Sequence, residues 1–198
     1  MTMIDDSRSQ LQPHLRPGDT LIWSGRPDAS VRFSKADVYL IPFSVFFAGF
    51  AVFWLWGATR GNAPWPFALF GVPFVAVGLW LLVGRFFYKA HRSRRTAYGL
   101  TATKAYISIG RSNTELSLRT APMTVTTSRD GSHITVELVA AAESFWSRGL
   151  PFTTPMNTGA EFIGWSSYTR AFYDVADVDG LKRALDQIAA SDAERRWR

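Results

Sequence analysis

The sequence predicts a membrane α+β protein. A two-helix transmembrane hairpin is followed by a small antiparallel β-barrel or sandwich, which a C-terminal helix caps. Two apolar stretches, YLIPFSVFFAGFAVFWLWG and WPFALFGVPFVAVGLWLLV, predict the hairpin. Short runs of alternating apolar and polar residues on either side of an Asp-Gly dipeptide predict the β domain. An amphipathic stretch near the C-terminus predicts the capping helix.

Each apolar stretch is long enough to cross a bilayer. No charged residue occurs in 38–59 or in 63–84, and the loop between them carries one, Arg60. About 20 helical residues cross a hydrocarbon core of about 30 Å. The alternative is a pair of core helices in a soluble domain, but such helices keep a polar stripe toward water. Neither stretch has that stripe, so we expect a transmembrane hairpin over 38–84.

Tryptophans and small residues refine the predicted hairpin. Amphipathic rings prefer the headgroup boundary, and the four tryptophans expected there are Trp54, Trp56, Trp65 and Trp80. Small side chains allow helices to approach closely in lipid. They share one face of each predicted helix: Ser44, Ala48 and Ala51 on the first, and Ala68, Gly71 and Gly78 on the second.

Basic residues predict the orientation of the hairpin. Arg26, Arg32 and Lys35 precede the first span, five basic residues follow the second, and the loop holds only Arg60. Because Lys and Arg are retained in the cytoplasm, we expect both termini to be cytoplasmic. The N-terminal segment, 1–37, is polar and lacks the apolar region of a cleaved signal peptide.

A basic juxtamembrane linker, 85–95, contains the candidate headgroup-binding residues Arg85, Lys89, Arg92, Arg94 and Arg95. Such a cluster attracts anionic lipid by about 1 kcal/mol per basic residue. The other interpretation is a topology signal alone, since cytoplasmic flanks are generally basic. The net charge of +6 also suits nucleic acid. The linker matches no recognition helix or stacking-strand motif, so we expect no nucleic-acid partner.

The predicted β domain occupies 96–190 and is followed by a short tail, 191–198. TAYGLTAT, AYISIG and ELSLRT read as strands, and Asp130-Gly131 predicts a tight hairpin turn inside MTVTTSRDGSHITVEL. Asp177 is the expected N-cap of the last helix, whose apolar face holds Val178, Leu181, Leu185 and Ile188. The segment 140–167 has no sustained period. It is either a long loop whose aromatics cover the β core or a segment that inserts Phe145, Trp146 and Phe152 into the bilayer.

Three motifs follow one another along the chain: LIWSGRP at 21–27, YGLTATKAYI at 98–107 and AFYDVADVDGLKRAL at 171–185. With these motifs on either side of a two-helix hairpin, the chain resembles the bacterial pleckstrin-homology-like membrane proteins. The resemblance implies a PH-like fold, a small partly closed β-barrel capped by the last helix, in a bacterial inner membrane. It implies no lipid specificity.

Catalytic constellations are absent from the sequence. His14, His91 and His133 have no carboxylate or nucleophile at a suggestive spacing. The HExxH metal motif and glycine-rich phosphate loops are missing, and the lack of cysteine excludes disulfides and thiolate-ligated metals. We therefore expect no catalytic residue, cofactor or metal.

The expected function is that of a non-enzymatic membrane protein. Its cytoplasmic domain would bind another protein or lipid headgroups at the membrane surface. The alternative is a membrane-associated small-molecule enzyme or transporter accessory subunit whose site lies in 140–167.

Overall fold

The computed structural model describes residues 3–30, 33–34, 37–61, 64–118, 123–138, 157–159 and 171–196. The helices are α1 (Met3–Leu11), α2 (Asp37–Arg60), α3 (Trp65–Leu79), α4 (Arg85–Arg94) and α5 (Val178–Arg196). The strands are β1 (Trp23–Gly25), β2 (Thr96–Leu100), β3 (Lys104–Ile109), β4 (Ser112–Ser117), β5 (Met123–Thr127), β6 (Ile134–Leu138) and β7 (Ala171–Val175). A short 3-10 helix, Gln12–His14, follows α1, and a π-helical turn, Trp80–Gly84, joins α3 to α4.

The two apolar stretches form helices that are long and apolar enough to span a membrane. The first helix, α2, has 24 residues, and the second runs without interruption from α3 through the π-helical turn to the end of α4, over 30 residues. In the most apolar 18-residue segment of each helix, the rest of the chain buries only 11% and 18%. The second helix continues past residue 84, the predicted end of the span, through most of the predicted linker, 85–95, and ends at Arg94.

Helices α2 and α3 pack against each other through small residues, as the sequence predicts. Ser44 and Ala51 on α2 are buried. A Cβ atom added to Gly78 would lie 2.8 Å from the Cα of Ala48, and one added to Gly71 would lie 3.3 Å from Trp54. The backbone of α2 therefore approaches α3 closely at Gly78, where a side chain is missing. The side chain of Ala68 lies outside the described part of the chain.

The β domain consists of two antiparallel sheets. One has the strand order β1-β2-β3-β4 and the other has the order β5-β6-β7. Both contribute to a single core with α5, and its large members include Tyr98, Ile107, Val136, Phe172 and Leu181. Mixed α+β architecture with antiparallel sheets and a C-terminal helix is thus confirmed.

The described residues form no closed barrel, and the PH-like form, a partly closed barrel, stays a prediction. An isolated bridge between Pro27 and Val175 connects the β1 side to β7. Proline has no N–H to donate, so a regular hydrogen-bonded ladder cannot continue through Pro27. In the part of the chain that the structure describes, the two sheets share a core, and no continuous ladder joins them.

The N-terminal segment is part of the β domain rather than a simple tail. The first helix packs on β2, and Leu11 is fully buried with Ala97 and Tyr106 in a second apolar cluster. A Cβ atom on Gly99 would lie 2.8 Å from Leu11, so glycine at this position of β2 lets α1 approach the sheet. The sequence offered a weak signal for this contact because the apolar residues of α1 are few.

Two local predictions have different outcomes. The Gly180 N–H donates to Asp177 Oδ1 at 3.0 Å, which confirms Asp177 as the cap of α5. The hairpin between β5 and β6 is also confirmed, and Gly131 has φ 73°. However, the connection runs from 128 to 133 and is longer than the predicted tight turn. The carboxylate of Asp130 holds this longer turn by accepting hydrogen bonds from Ser128 and Ser132.

Candidate functional site: the junction of hairpin and β domain

Three basic residues of α4 face the interior of the protein. The exposed fractions of Arg85, Lys89 and Arg92 are 0%, 2% and 8%. Their spacing of four and then three residues places them on one helix face, which packs toward the β domain. By contrast, Arg94 and Arg95 are exposed. The predicted headgroup cluster is therefore split by helix geometry into a buried set and an exposed pair.

We call the region where α4 meets the start of α2, the segment 157–159 and β7 the junction. Arg85 hydrogen-bonds to three parts of the chain there. Its Nη1 donates to Asp37 Oδ1 and, at 3.3 Å, to the carbonyl oxygen of Thr158, while its Nε donates to Leu81 O at 2.7 Å. Asp37 is 2% exposed, and its other carboxylate oxygen accepts from the Ser34 hydroxyl at 2.9 Å. The ion pair links the start of α2 to the start of α4.

The segment 157–159 lies directly on α4. Gly159 has φ 82°, and a Cβ atom there would be 2.2 Å from Arg85 O. Any side chain would collide with the helix backbone, so this contact requires glycine. On the same segment, Asn157 Oδ1 accepts a hydrogen bond from Arg92 Nη2 at 3.3 Å. The other residues of the segment 140–167, which include Phe145, Trp146 and Phe152, lie outside the described residues.

Asp174 is the point at which the β domain meets this buried basic face. Its Oδ2 lies 3.6 Å from Lys89 Nζ and accepts from Asn157 Nδ2 at 2.8 Å. Its N–H donates to Thr135 Oγ1 at 3.2 Å, and its carbonyl oxygen accepts from the Asp28 N–H at 2.8 Å. One residue of β7 thus contacts α4, β6, the segment 157–159 and the chain that follows β1.

The backbone of Asp174 is unusual. Its φ of 50° is in the left-handed region, which few residues other than glycine adopt, although Asp and Asn are enriched among those that do. The register between β6 and β7 shifts at the same place, between Ile134 and Val136. A bulge of this kind redirects a side chain, and here it accompanies the carboxylate that meets Lys89.

These buried charges hold the hairpin and the domain in one relative orientation. Removing two charges from water costs several kcal/mol per ion, and that cost is offset only when each charge has a well-placed partner. Asp37, Asp174 and the carbonyl of Thr158 are such partners. The structure therefore gives Arg85, Lys89 and Arg92 an intramolecular role. Headgroup binding stays a prediction for the exposed Arg94 and Arg95.

Sequence reasoning missed the acidic members of this junction. Neither Asp37 nor Asp174 is among the candidate site residues that the sequence predicts. Two signals could have found them: a lone Asp at the border of a charge-free span, and basic residues at helical spacing just beyond the second span. Both place charge where little water is available, so a partner is needed.

Three of the four tryptophans predicted as interface anchors are well exposed. The exposed fractions of Trp54, Trp56 and Trp65 are 42%, 51% and 75%. The guanidinium of Arg60 stands 4.8 Å over the ring of Trp56. Trp80 is half-buried and tilts against Tyr88, with 6.2 Å between ring centroids. Anchoring at the headgroups stays a prediction for all four.

A groove of about 210 Å³ lies between the two apolar helices. Its walls are apolar and include Phe47, Ala51, Phe70 and Phe74. Since it presents no polar atom, it suits a hydrocarbon chain or a side chain rather than a reacting group.

His133 has two close partners that the sequence did not reveal. Its Nε2 lies 2.9 Å from Asp28 Oδ2 and its Nδ1 lies 2.6 Å from Ser132 Oγ. Burial raises the pKa of Asp28, but hydrogen bonds from His133 and Ser30 outweigh it and hold that pKa below the usual value. Ser132 also has Asp130 Oδ2 at 2.6 Å. An ionised carboxylate is the stronger acceptor for the single serine proton, so the geometry favours a fixed turn over an activated nucleophile.

The three sequence motifs come together in the core. Trp23 donates from Nε1 to Asp177 Oδ2 at 2.9 Å, and its ring centroid lies 6.0 Å from that of Phe172. Tyr98 also stacks on Phe172, with 4.7 Å between the two ring centroids. The motifs therefore help to hold the fold together. Comparison with protein-family models, curated proteins and solved structures finds no match. The PH-like resemblance rests on these motifs alone.

Among the described residues, no group of three or more His, Asp or Glu side chains is arranged to hold a metal ion. What the junction offers chemically is a fixed attachment between two apolar helices and a β domain.

Proposed function

We propose that this chain is a non-enzymatic integral protein of a bacterial inner membrane. Its hairpin of α2 and α3 would cross the bilayer, and its PH-like β domain would bind another protein or lipid headgroups at the cytoplasmic surface. The observation that carries the proposal is the combination of two exposed apolar helices with a buried ionic junction to a folded domain. A free-standing soluble protein would leave the apolar surface in water, where it drives aggregation.

Helix length supports this arrangement. From Trp65 to Gly84 the second helix extends about 30 Å at about 1.5 Å per residue, which matches the hydrocarbon thickness. The remaining part, α4, extends about 15 Å farther and carries the basic face that packs on the β domain. The domain would therefore stand directly against the bilayer surface.

The proposed orientation follows from the distribution of charge. Arg94, Arg95 and Arg26 lie on the β-domain side of the hairpin, and Arg60 lies at the loop. The positive-inside rule then favours a cytoplasmic β domain and two cytoplasmic termini.

Confinement near the bilayer favours weak binding partners. A tethered domain meets neighbouring membrane proteins at a high effective concentration, so modest intrinsic affinity suffices. The edge strand β5, which among the described strands pairs only with β6, suits such contacts. Met123 and Val125 are 41% and 48% exposed, and no charge or proline occurs in Met123–Thr127. Strands without these protective residues accept an added strand.

Two experiments test the proposal. After lysis and alkaline carbonate extraction, the full-length chain should remain in the membrane pellet and dissolve only with detergent. Reporter fusions at both termini should show cytoplasmic activity, and a fusion in the loop after Arg60 should show the opposite. Recovery of monodisperse protein in the aqueous fraction without detergent would refute the membrane assignment. A periplasmic signal from either terminus would refute the orientation.

A further inference from the structure

The exposed surface next to the buried Asp37–Arg85 pair carries large apolar side chains. Four exposed side chains, which we call the collar, lie within four residues of Asp37 or Arg85: Phe33, Val38, Tyr39 and Phe87. Their exposed fractions are 68%, 70%, 80% and 73%. The ring of Phe33 packs edge-on against Phe86, with 5.6 Å between centroids, which fixes part of the collar against α4.

The collar continues the exposed apolar face of the second helix. Leu79, Val83 and Phe87 follow one another at four-residue spacing and are 62%, 47% and 73% exposed. The next members of the same face, His91 and Arg94, are polar and also exposed. The outward face of the helix therefore changes from apolar to polar between Phe87 and His91, one turn beyond the predicted end of the span.

The inward-facing side of α4 is charged, whereas its outward-facing side is apolar as far as Phe87. Three of its charged side chains, Arg85, Lys89 and Arg92, are buried toward the β domain, and the ring of Phe87 faces outward. A helix surrounded by water on its outer side normally shows the reverse pattern. The arrangement fits a medium that is apolar on the outside at the level of Phe87 and aqueous at the level of His91.

We infer that the collar inserts into the headgroup–hydrocarbon boundary of the bilayer leaflet nearest the β domain and surrounds the buried Asp37–Arg85 pair. This inference rests on the proposed function, since it takes the hairpin to be in lipid. Phe87 lies about 5 Å beyond Gly84 along the helix axis. The headgroup layer of one leaflet is about 5–7 Å thick, so the ring reaches this layer, which aromatic side chains favour.

Phospholipid is the occupant that the observations favour. The collar is continuous with the apolar helix faces that lipid would cover, and Tyr39 combines an apolar ring with a hydroxyl suited to headgroups. Lipid on the outside and the β domain on the inside would keep water from the ion pair from both sides. Arg94 would then lie about 10 Å deeper in the cytoplasm than Phe87.

Single cysteines can measure this depth because the chain contains none. The full-length protein with Phe87→Cys, labelled with a nitroxide and reconstituted in phosphatidylcholine–phosphatidylglycerol vesicles, should be accessible to oxygen and protected from a water-soluble nickel complex. His91→Cys, one turn farther on the same face, is the matched control and should be accessible to nickel. We expect an oxygen-to-nickel accessibility ratio several-fold higher at residue 87. Phe33→Cys tests the collar independently of α4.

The outcomes separate the inference from the function on which it rests. Nickel accessibility at residues 33 and 87 equal to that at 91 would overturn the collar while leaving a spanning hairpin intact, provided that Leu79→Cys stays protected from nickel. Protection of residues 33 and 87 from both reagents would also overturn it, since protein would then cover the surface. Nickel accessibility at residue 79 as well would refute the spanning hairpin itself.

Discussion

Asp37 and Arg85 form a buried ion pair that joins the first turn of α2 to the first turn of α4, across 48 residues of sequence. Their side chains are 3% and 0% exposed. The pair brings the beginning of the first apolar helix to the end of the second apolar segment. It therefore fixes the opening of the hairpin at the level where the β domain begins.

Removing one member of this pair should destabilise the protein strongly. Asp37→Leu leaves a buried guanidinium without its carboxylate, and loss of one partner of a buried pair costs about 3–5 kcal/mol. The measurement is the free energy of unfolding of detergent-solubilised protein. The double variant with Arg85→Met should recover most of the loss, because neither charge is then buried alone. Additive losses in the two single variants and the double variant would contradict a direct pairing.

The contact between α2 and α3 should be sensitive at Gly78 and insensitive at Gly49. In Gly78→Ala the new Cβ would meet Ala48 at 2.8 Å, forcing the helices apart, whereas nothing lies within 4 Å of a Cβ at Gly49. Alanine is the better helix former by about 1 kcal/mol, so Gly49→Ala should be neutral or stabilising and Gly78→Ala destabilising. Thermal unfolding in the same detergent compares the two. Equal effects would show that α2 and α3 do not meet at this point.

Asp174 should tolerate asparagine better than alanine. Asparagine adopts left-handed backbone readily and keeps an acceptor for Asn157, while it loses the charge that faces Lys89. Alanine loses the contacts and also bears the cost of a positive φ, about 1–3 kcal/mol. Chemical denaturation should rank the unfolding free energies as wild type, then Asp174→Asn, then Asp174→Ala. The exposed Asp186→Ala is the control. A more stable alanine variant would show that the backbone conformation at 174 is different.

Acid should release the segment after α1 from the sheet. The hydroxyl of Tyr106 donates to Asp19 Oδ2 at 2.6 Å, and Lys104 Nζ lies 3.2 Å away. The Tyr106 hydrogen bond, together with Lys104, holds the pKa of Asp19 below its ordinary value of 3.8. A carboxyl group with a lowered pKa stabilises the fold above the pKa of the unfolded chain. This contribution is lost as the pH falls through the folded-state value.

The matching variant is Asp19→Asn. It should be less stable than wild type at pH 7, and the difference in melting temperature should narrow as the pH falls below about 3.8, the ordinary Asp pKa. Melting curves between neutral and acidic pH supply the test. A constant difference over that range would exclude the ionised carboxylate as the stabilising form.

The elements that the sequence predicted correctly are those with a local signal. An unbroken apolar run predicts α2, alternation predicts β2 and β3, and Asp177 predicts the start of α5. Where the outcome depended on distant partners, the prediction failed or was incomplete. The π-helical turn into α4 extends the second helix to Arg94, and α1 packs on the sheet because Gly99 leaves room for Leu11. Neither the extension of this helix nor the packing of α1 can be recognised from a short segment of sequence.

The same reason explains why the sequence predicted the position of the basic linker but not which of its side chains are buried. Counting charges located the linker next to the second apolar stretch, since charge density is a property of a short segment. The side of the helix on which each charge lies, and the acid that meets it, depend on where Asp37 and Asp174 are brought by the rest of the chain. The two apolar helices, the strand pattern and the final helix can be predicted from the residues alone, because hydrophobic periodicity acts within single elements. The tertiary structure alone decided which basic residues are buried at the junction, because a buried charge is stabilised only by a partner that folding delivers from elsewhere in the chain.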